Sequence, residues 1–190
     1  DGYANTMLGL GYGITDRIGL SLSRARLDKE IELGAEWLIA EQGSAMPFSA
    51  ALFGGAGLVT EGDGFARWSA ALSLSRKISR RLSVLAVPAF ASRTDRDSPG
   101  SRGTFALGLG GRFMLLEDFS VLAEWTPVLA GFKAAESGWG LGLEMKTAGH
   151  VFQLFLANSL GLTIPQVLPG GDLRLGDLDF RIGFNIFRAF

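Results

Sequence analysis

The sequence contains no cysteine, which removes disulfide bridges, thiolate metal sites, cysteine nucleophiles and covalent c-type haem attachment. It has one histidine, His150, so a histidine metal cluster is excluded too, and the carboxylates show no metal-binding spacing. Charge is scarce: 19% of residues are Asp, Glu, Lys or Arg, with a net charge of −1. No global field therefore points to nucleic acid or an acidic substrate. Long apolar runs are missing as well. Although 47% of the 190 residues are hydrophobic, no stretch approaches the roughly 18 consecutive apolar residues a membrane helix needs. The first residues, Asp1-Gly2-Tyr3-Ala4-Asn5, carry neither the basic start nor the apolar run of a signal peptide. If the protein is exported, a processed or truncated chain is implied.

What the sequence does have is alternation. From Leu178 to Ile186, every second residue (Leu178, Phe180, Ile182, Phe184, Ile186) is apolar, with Asp179, Arg181, Gly183 and Asn185 between. On a helix this pattern scatters charge around the cylinder; on a strand it separates two faces. The same period recurs in Trp139–Met145, Phe105–Leu109, Trp68–Leu74, Ile31–Ile39 and Ile18–Leu22. It predicts eleven strands, near 4–14, 17–26, 30–41, 47–60, 66–78, 81–93, 103–115, 118–127, 138–147, 150–160 and 177–190. At about 9 to 13 residues, these lengths suit tilted strands crossing a bilayer, whereas soluble strands more often run to about 5 or 6.

The connections point the same way. Short turns fall at Thr15-Asp16-Arg17, Ser79-Arg80, Glu117-Asp118 and Thr147-Ala148-Gly149, and longer polar connections at 60–66, 94–102, 128–137 and 161–176. Apart from two segments near 26–30 and 42–47, short and long alternate, as in a barrel with tight periplasmic turns and longer outer loops. The expected fold is an all-β, transmembrane, antiparallel up-and-down β-barrel forming one domain over 1–190. Strand parity then sets the number at about twelve, with about eleven in this chain and an N-terminal strand lacking.

The two faces differ in kind. One is Leu, Ile, Phe, Val or Trp; the other is Gly, Ser or Ala with occasional charge, and the 27 glycines concentrate there. A soluble sandwich also alternates, but a water-facing sheet surface seldom carries runs of Gly and Ser, which are poor strand formers. Inside a barrel such residues leave room. The expected lumen-lining charges are Glu32, Glu36, Arg67, Arg112, Glu124, Glu144, Asp179 and Arg181. They serve as structural ion pairs on one reading and select polar or ionic solutes on the other. Trp37, Trp68, Trp125 and Trp139, near strand ends, fit the aromatic girdles of a membrane barrel; the competing assignment is the core of a sandwich.

The terminal alternation of Phe180, Ile182, Phe184, Ile186 and Phe190 resembles the signal by which outer-membrane barrels are recognised by their insertion machinery, although Arg188 stands where an aromatic is usual. In addition, Gly149-His150-Val151-Phe152-Gln153-Leu154, then Asn158-Ser159, then Gly183-Phe184-Asn185-Ile186 with Arg188 and Phe190, resemble a family of bacterial outer-membrane β-barrel proteins of unknown function with a GHxFQL…NS…GFNIxRxF ending. Tyr12 to Arg17 and Pro88 are similar to it as well. The resemblance implies the barrel fold, a bacterial outer-membrane location and a further strand upstream. It implies no activity.

No enzyme is expected. Outer-membrane phospholipases place a His and a Ser close together on one strand, whereas here Phe152 stands two positions after His150 and Ser159 lies almost a strand away. Gly9-Leu10-Gly11-Tyr12-Gly13 lacks the GxGxxG spacing and reads as a strand with a small inner face. No cofactor and no nucleic-acid partner are expected. The partners are membrane lipids, the insertion machinery, and a periplasmic or lumenal protein. The basic group Arg76, Lys77, Arg80 and Arg81 at a short turn reads as a solvated turn against lipid headgroups, or as a docking patch for such a protein. For the interior, two uses follow: a passive path for small polar solutes, or a sleeve holding a partner polypeptide or the protein's own N-terminal segment.

Overall fold

A computed structural model describes residues 4–96, 98 and 102–189. Twelve strand segments form one antiparallel sheet: β1 Met7–Gly13, β2 Ile18–Ala25, β3 Ile31–Ala40, β4 Ser49–Val59, β5 Phe65–Lys77, β6 Leu82–Ala91, β7 Thr104–Leu116, β8 Phe119–Thr126, β9 Val128–Gly131, β10 Gly138–Lys146, β11 His150–Ala157 and β12 Arg181–Arg188. Sequential neighbours pair from β1 to β8, then β8 with β10, β10 with β11 and β11 with β12. The chain is therefore an all-β up-and-down barrel, although no ladder joins β1 to β12 among the described residues. Asn5, just before β1, donates from Nδ2 to the carbonyl of Leu160 in the β11–β12 connection at 2.8 Å.

Two expectations about elements change. Residues 128–131, read as loop, continue the preceding strand: β9 pairs with β7 through Thr104–Gly131 and Phe105–Ala130. Pro127 has no amide hydrogen to give the ladder, which splits one spanning strand into β8 and β9. The twelfth segment is thus not a further crossing. The last strand begins at Arg181 rather than 177, because Leu175–Asp177 forms a 3-10 turn and Leu178 takes a φ of 57°, a left-handed conformation that a ladder does not accept.

The connections sort into two ends. At the short-turn end, side-chain hydroxyls fix two of the reversals. Thr15 Oγ1 accepts from the Ile18 amide at 3.0 Å, and Ser79 Oγ accepts from the Leu82 amide at 3.1 Å, each fixing a tight reversal. At the opposite, long-loop end lie the connections 26–30, 60–64, 92–103, 132–137 and 158–180.

Burial decides which face meets lipid. Among the described residues, the buried apolar side chains are Ala25, Ala50, Val59, Ala71, Ala89, Ala91, Ala106 and Leu168. A soluble sandwich of this size would bury its leucines and phenylalanines instead. Here Leu8, Leu10, Tyr12, Leu33, Trp68, Ile182 and Phe184 stand exposed, the last at 74%. The accessible surface is 12060 Å², against about 8,700 Å² for a compact soluble monomer of the same mass. The difference reflects how few large apolar side chains are buried among the described residues. Hydrocarbon covering the outer face accounts for apolar side chains that water would leave exposed at a cost of about 25 cal/mol per Å².

Trp37, Trp68, Trp125 and Trp139 share this outer phase; Trp125 and Trp139 are cross-strand partners. Trp68 and Trp139 lie near the long-loop ends of β5 and β10 and Trp37 near the short-turn end of β3, levels where amphipathic rings meet headgroups.

Candidate functional site

The inner face is most informative where the wall meets the β11–β12 connection. That connection turns inward, and its single helical turn α1, Ile164–Val167, rests on β5 and β6. Ile164 and Leu168 pack on a floor made by Ala71, Ala89, Ala91 and Ala106. Larger residues at those four wall positions would leave no space for the segment. Pro165 at the start of α1 suits the first turn, where its missing amide hydrogen is not needed.

A charged cluster anchors this arrangement. Asp28 and Lys29 take positive φ values of 61° and 46°. The reversal they make in the short β2–β3 connection turns Glu30 inward, in phase with Glu32 and Glu36. Arg67 on β5 meets Glu30 through two contacts, Nε to Oε1 and Nη2 to Oε2, both at 2.7 Å. Its Nη2 also reaches Asp28 Oδ2 at 3.0 Å, and Arg96 approaches the other Asp28 oxygen at 2.6 Å. Arg67 is 1% and Glu30 0% exposed. The inward segment attaches here through uncharged donors: Thr163 Oγ1 to Glu30 Oε2 at 2.6 Å and Gln166 Nε2 to the same oxygen at 2.9 Å. The Gln166 amide also donates to the Leu27 carbonyl at 3.0 Å.

The division of labour has an energetic consequence. Removing one member of a buried ion pair costs about 3–5 kcal/mol, because the other charge is stranded. Withdrawing the inward segment strands no charge, since Glu30 and Arg67 both belong to the wall. It gives up hydrogen bonds to a charged acceptor, each worth about 1.5–3 kcal/mol.

The far end of the segment is held separately. Asn158 is 0% exposed; its Oδ1 accepts from the Trp139 amide at 3.0 Å, and its Nδ2 donates to the Ser137 carbonyl at 2.9 Å and the Leu173 carbonyl at 3.3 Å. Gly171 exchanges backbone bonds with Glu136. A Cβ on Gly171 would fall 2.3 Å from the Asn158 carbonyl oxygen, so only glycine fits. Arg181 closes the segment with a two-pronged contact to Asp172 at 2.6 and 2.9 Å, and its guanidinium holds the Asp172 carboxyl below the usual carboxylate range.

A second polar system crosses the wall formed by β7, β10, β11 and β12. Arg112 Nη2 meets Glu144 Oε1 at 2.9 Å, Gln153 donates to Glu144 Oε2 at 2.9 Å, and Asn185 donates to Gln153 Oε1 at 3.1 Å. Of the charges expected to line the lumen, Glu32, Glu36, Arg67, Arg112, Glu124, Glu144 and Arg181 occupy inner-face ladder positions, as the pairings Glu32–Gly57, Glu36–Phe53 and Glu124–Gly140 place them. Asp179 falls outside the ladder, in the exposed stretch before β12. Sequence reasoning missed Asp28, Glu30, Thr163 and Gln166. Glu30 was within reach by extending the Glu32–Glu36 parity one step back, and Thr-Ile-Pro at 163–165 is a helix start inside what was read as a loop.

Phe180 precedes β12, and Ile182, Phe184 and Ile186 stand on its outer face; Phe190 lies outside the described residues. His150 also faces outward, its ring stacked on Phe152 at 5.8 Å. Between α1 and the wall remains a cavity of ≈ 250 Å³ lined by Glu36, Ala51, Phe53, Ala71, Ser73, Val87 and Ile164. A wider recess of ≈ 580 Å³ opens at the short-turn end beside Gln42, Ser49 and Lys77.

An apolar band facing outward, aromatic rings at its two levels and a small, polar, partly charged interior define an integral membrane β-barrel. The comparisons agree, and the chain belongs to the family described as "Membrane bound beta barrel domain (DUF5777)", whose model matches residues 1–190. The solved NanC porin is similar in fold, with a TM-score of 0.60 and 10% identity over 85% of each chain. No curated protein matches the sequence.

Proposed function

We propose that this barrel is a porin-like passive channel for small polar solutes in a bacterial outer membrane, narrowed by the inward β11–β12 segment. The observation that carries the reading is the interior itself: an alanine floor beneath α1 and water-sized space left between α1 and the opposite residues of the wall. The tight turns at one end, the alternating last strand and the likeness to a porin support the location and the class. Single-channel recording in planar bilayers tests it. Protein with heat-modifiable gel mobility is expected to give discrete conductance steps; none from such protein overturns the reading.

One observation favours a second reading, a scaffold barrel whose interior is reserved for polypeptide: residues 158–174 already occupy part of it. The variant Thr163→Ala/Gln166→Ala separates the two. Loosening the segment raises conductance in a channel, and only lowers stability in a scaffold.

A further inference from the structure

We infer that the cavity beneath α1 makes the solute path selective for small cations, with Glu36 as the residue that determines it. The inference rests on the channel reading and adds the class of solute. Glu36 is exposed within the interior and is the one charged side chain lining that cavity. Among the described residues it has no ion pair, whereas the cations on the surrounding inner wall are committed elsewhere. Arg67 is enclosed by Glu30 and Asp28, Arg112 is held by Glu144, Lys146 leans on the same carboxylate at 3.8 Å, and Arg181 is held by Asp172. Among the described residues, two cations near this wall have no such partner and both stand at the short-turn rim: Lys77 beside Gln42 and Ser79, and Arg17 in the β1–β2 turn, its carbonyl bonded to the Leu38 amide.

The remainder of the cavity strengthens the effect. Phe53, Ala51, Ala71, Val87 and Ile164 supply no competing dipole, and Ser73 offers a hydroxyl oxygen to a cation. Apolar walls of low polarisability let one carboxylate project its field across a narrow space with little screening. Rings or single placements of carboxylates are how cation pathways discriminate by charge. Glu32 and Glu124, also without ion pairs among the described residues, add to the same sign.

Reversal potentials across a bilayer separating unequal KCl solutions test the inference. The wild-type channel is expected to favour K⁺ over Cl⁻, Glu36→Gln to move the reversal potential most of the way to zero while keeping conductance, and Glu36→Lys to reverse its sign. Because Glu36 is exposed and unpaired, both variants are expected to fold, which the heat-modifiable gel shift verifies. A Cl⁻-selective wild type, or a Glu36→Gln variant with an unmoved reversal potential, overturns the inference and leaves the channel standing. A folded protein without conductance steps overturns the channel reading and this inference together.

Discussion

The two sides of the barrel interior are built on opposite rules. The wall from β3 to β6 carries buried charge and is covered: Arg67, Glu30 and Asp28 are sealed beneath the segment that holds Thr163 and Gln166. The wall of β1 and β2 carries Gly9, Gly11, Gly13, Gly19, Ser21 and Ser23 on its inner face, whereas α1 rests on β5 and β6. The most deeply buried charges on the covered wall, Arg67 and Glu30, carry several partners each. Where no cover is provided, the wall has been left bare.

The contrast can be broken most severely at Arg67. Replacing it by Ala or Met leaves Glu30 buried with only Thr163 and Gln166, and is expected to cost about 3–5 kcal/mol, read as a lowered urea midpoint for unfolding from detergent or lipid. Adding a methyl group sharpens the comparison further. In Gly57→Ala the new Cβ would sit 2.6 Å from Glu30 Oε1, and overpacking there is expected to cost about 1–3 kcal/mol. In Gly11→Ala the nearest atom is the Leu20 carbonyl at 3.8 Å, and stability should stay within about 0.5 kcal/mol.

Thr163→Ala comes next, at about 1.5 kcal/mol, the lower end for a bond to a charged acceptor, since Glu30 keeps its Arg67 contacts and the Gln166 donor; the expected signature is faster proteolytic nicking between 159 and 176. The smallest effect concerns Asp172. Its folded pKa lies below the ordinary 3.8, so the clasp with Arg181 contributes fully above that value and is lost as pH falls through the lowered one. Nicking should therefore accelerate in strong acid in the wild type, and Asp172→Asn should be leaky already at neutral pH. The carboxylate is largely exposed, which keeps the effect modest.

The strand pattern was legible because the side-chain period of a strand is two and a membrane enforces it on the outer face. The positions of Leu33, Trp68, Leu143 and Phe184 follow from that alone, as does the inward phase of Glu36 and Arg112. Partners were not legible. Alternation says that Arg67 points inward, but Glu30 lies 37 residues away and Thr163 meets Glu30 across 133, separations that no local pattern encodes. Two further departures had local causes: Pro127 broke a ladder that alternation alone would have continued, and Leu178 in the left-handed region removed Asp179 from the strand that its neighbours imply. The inward course of the β11–β12 connection was hidden for a different reason. A polar loop and a polar plug have the same composition, and only the alanine floor beneath Ile164 and Leu168 tells them apart.

The ties of the inward segment also set an order of assembly. Thr163 and Gln166 grip residues near the beginning of β3, and Leu160 is held by Asn5, so the segment can seat only after the strands between have been paired. Contacts that span so much of the chain come late because their loop-closure entropy must be met first. A wall built before the segment seats would leave the mouth unsealed and the Arg67–Glu30 pair wetted from above.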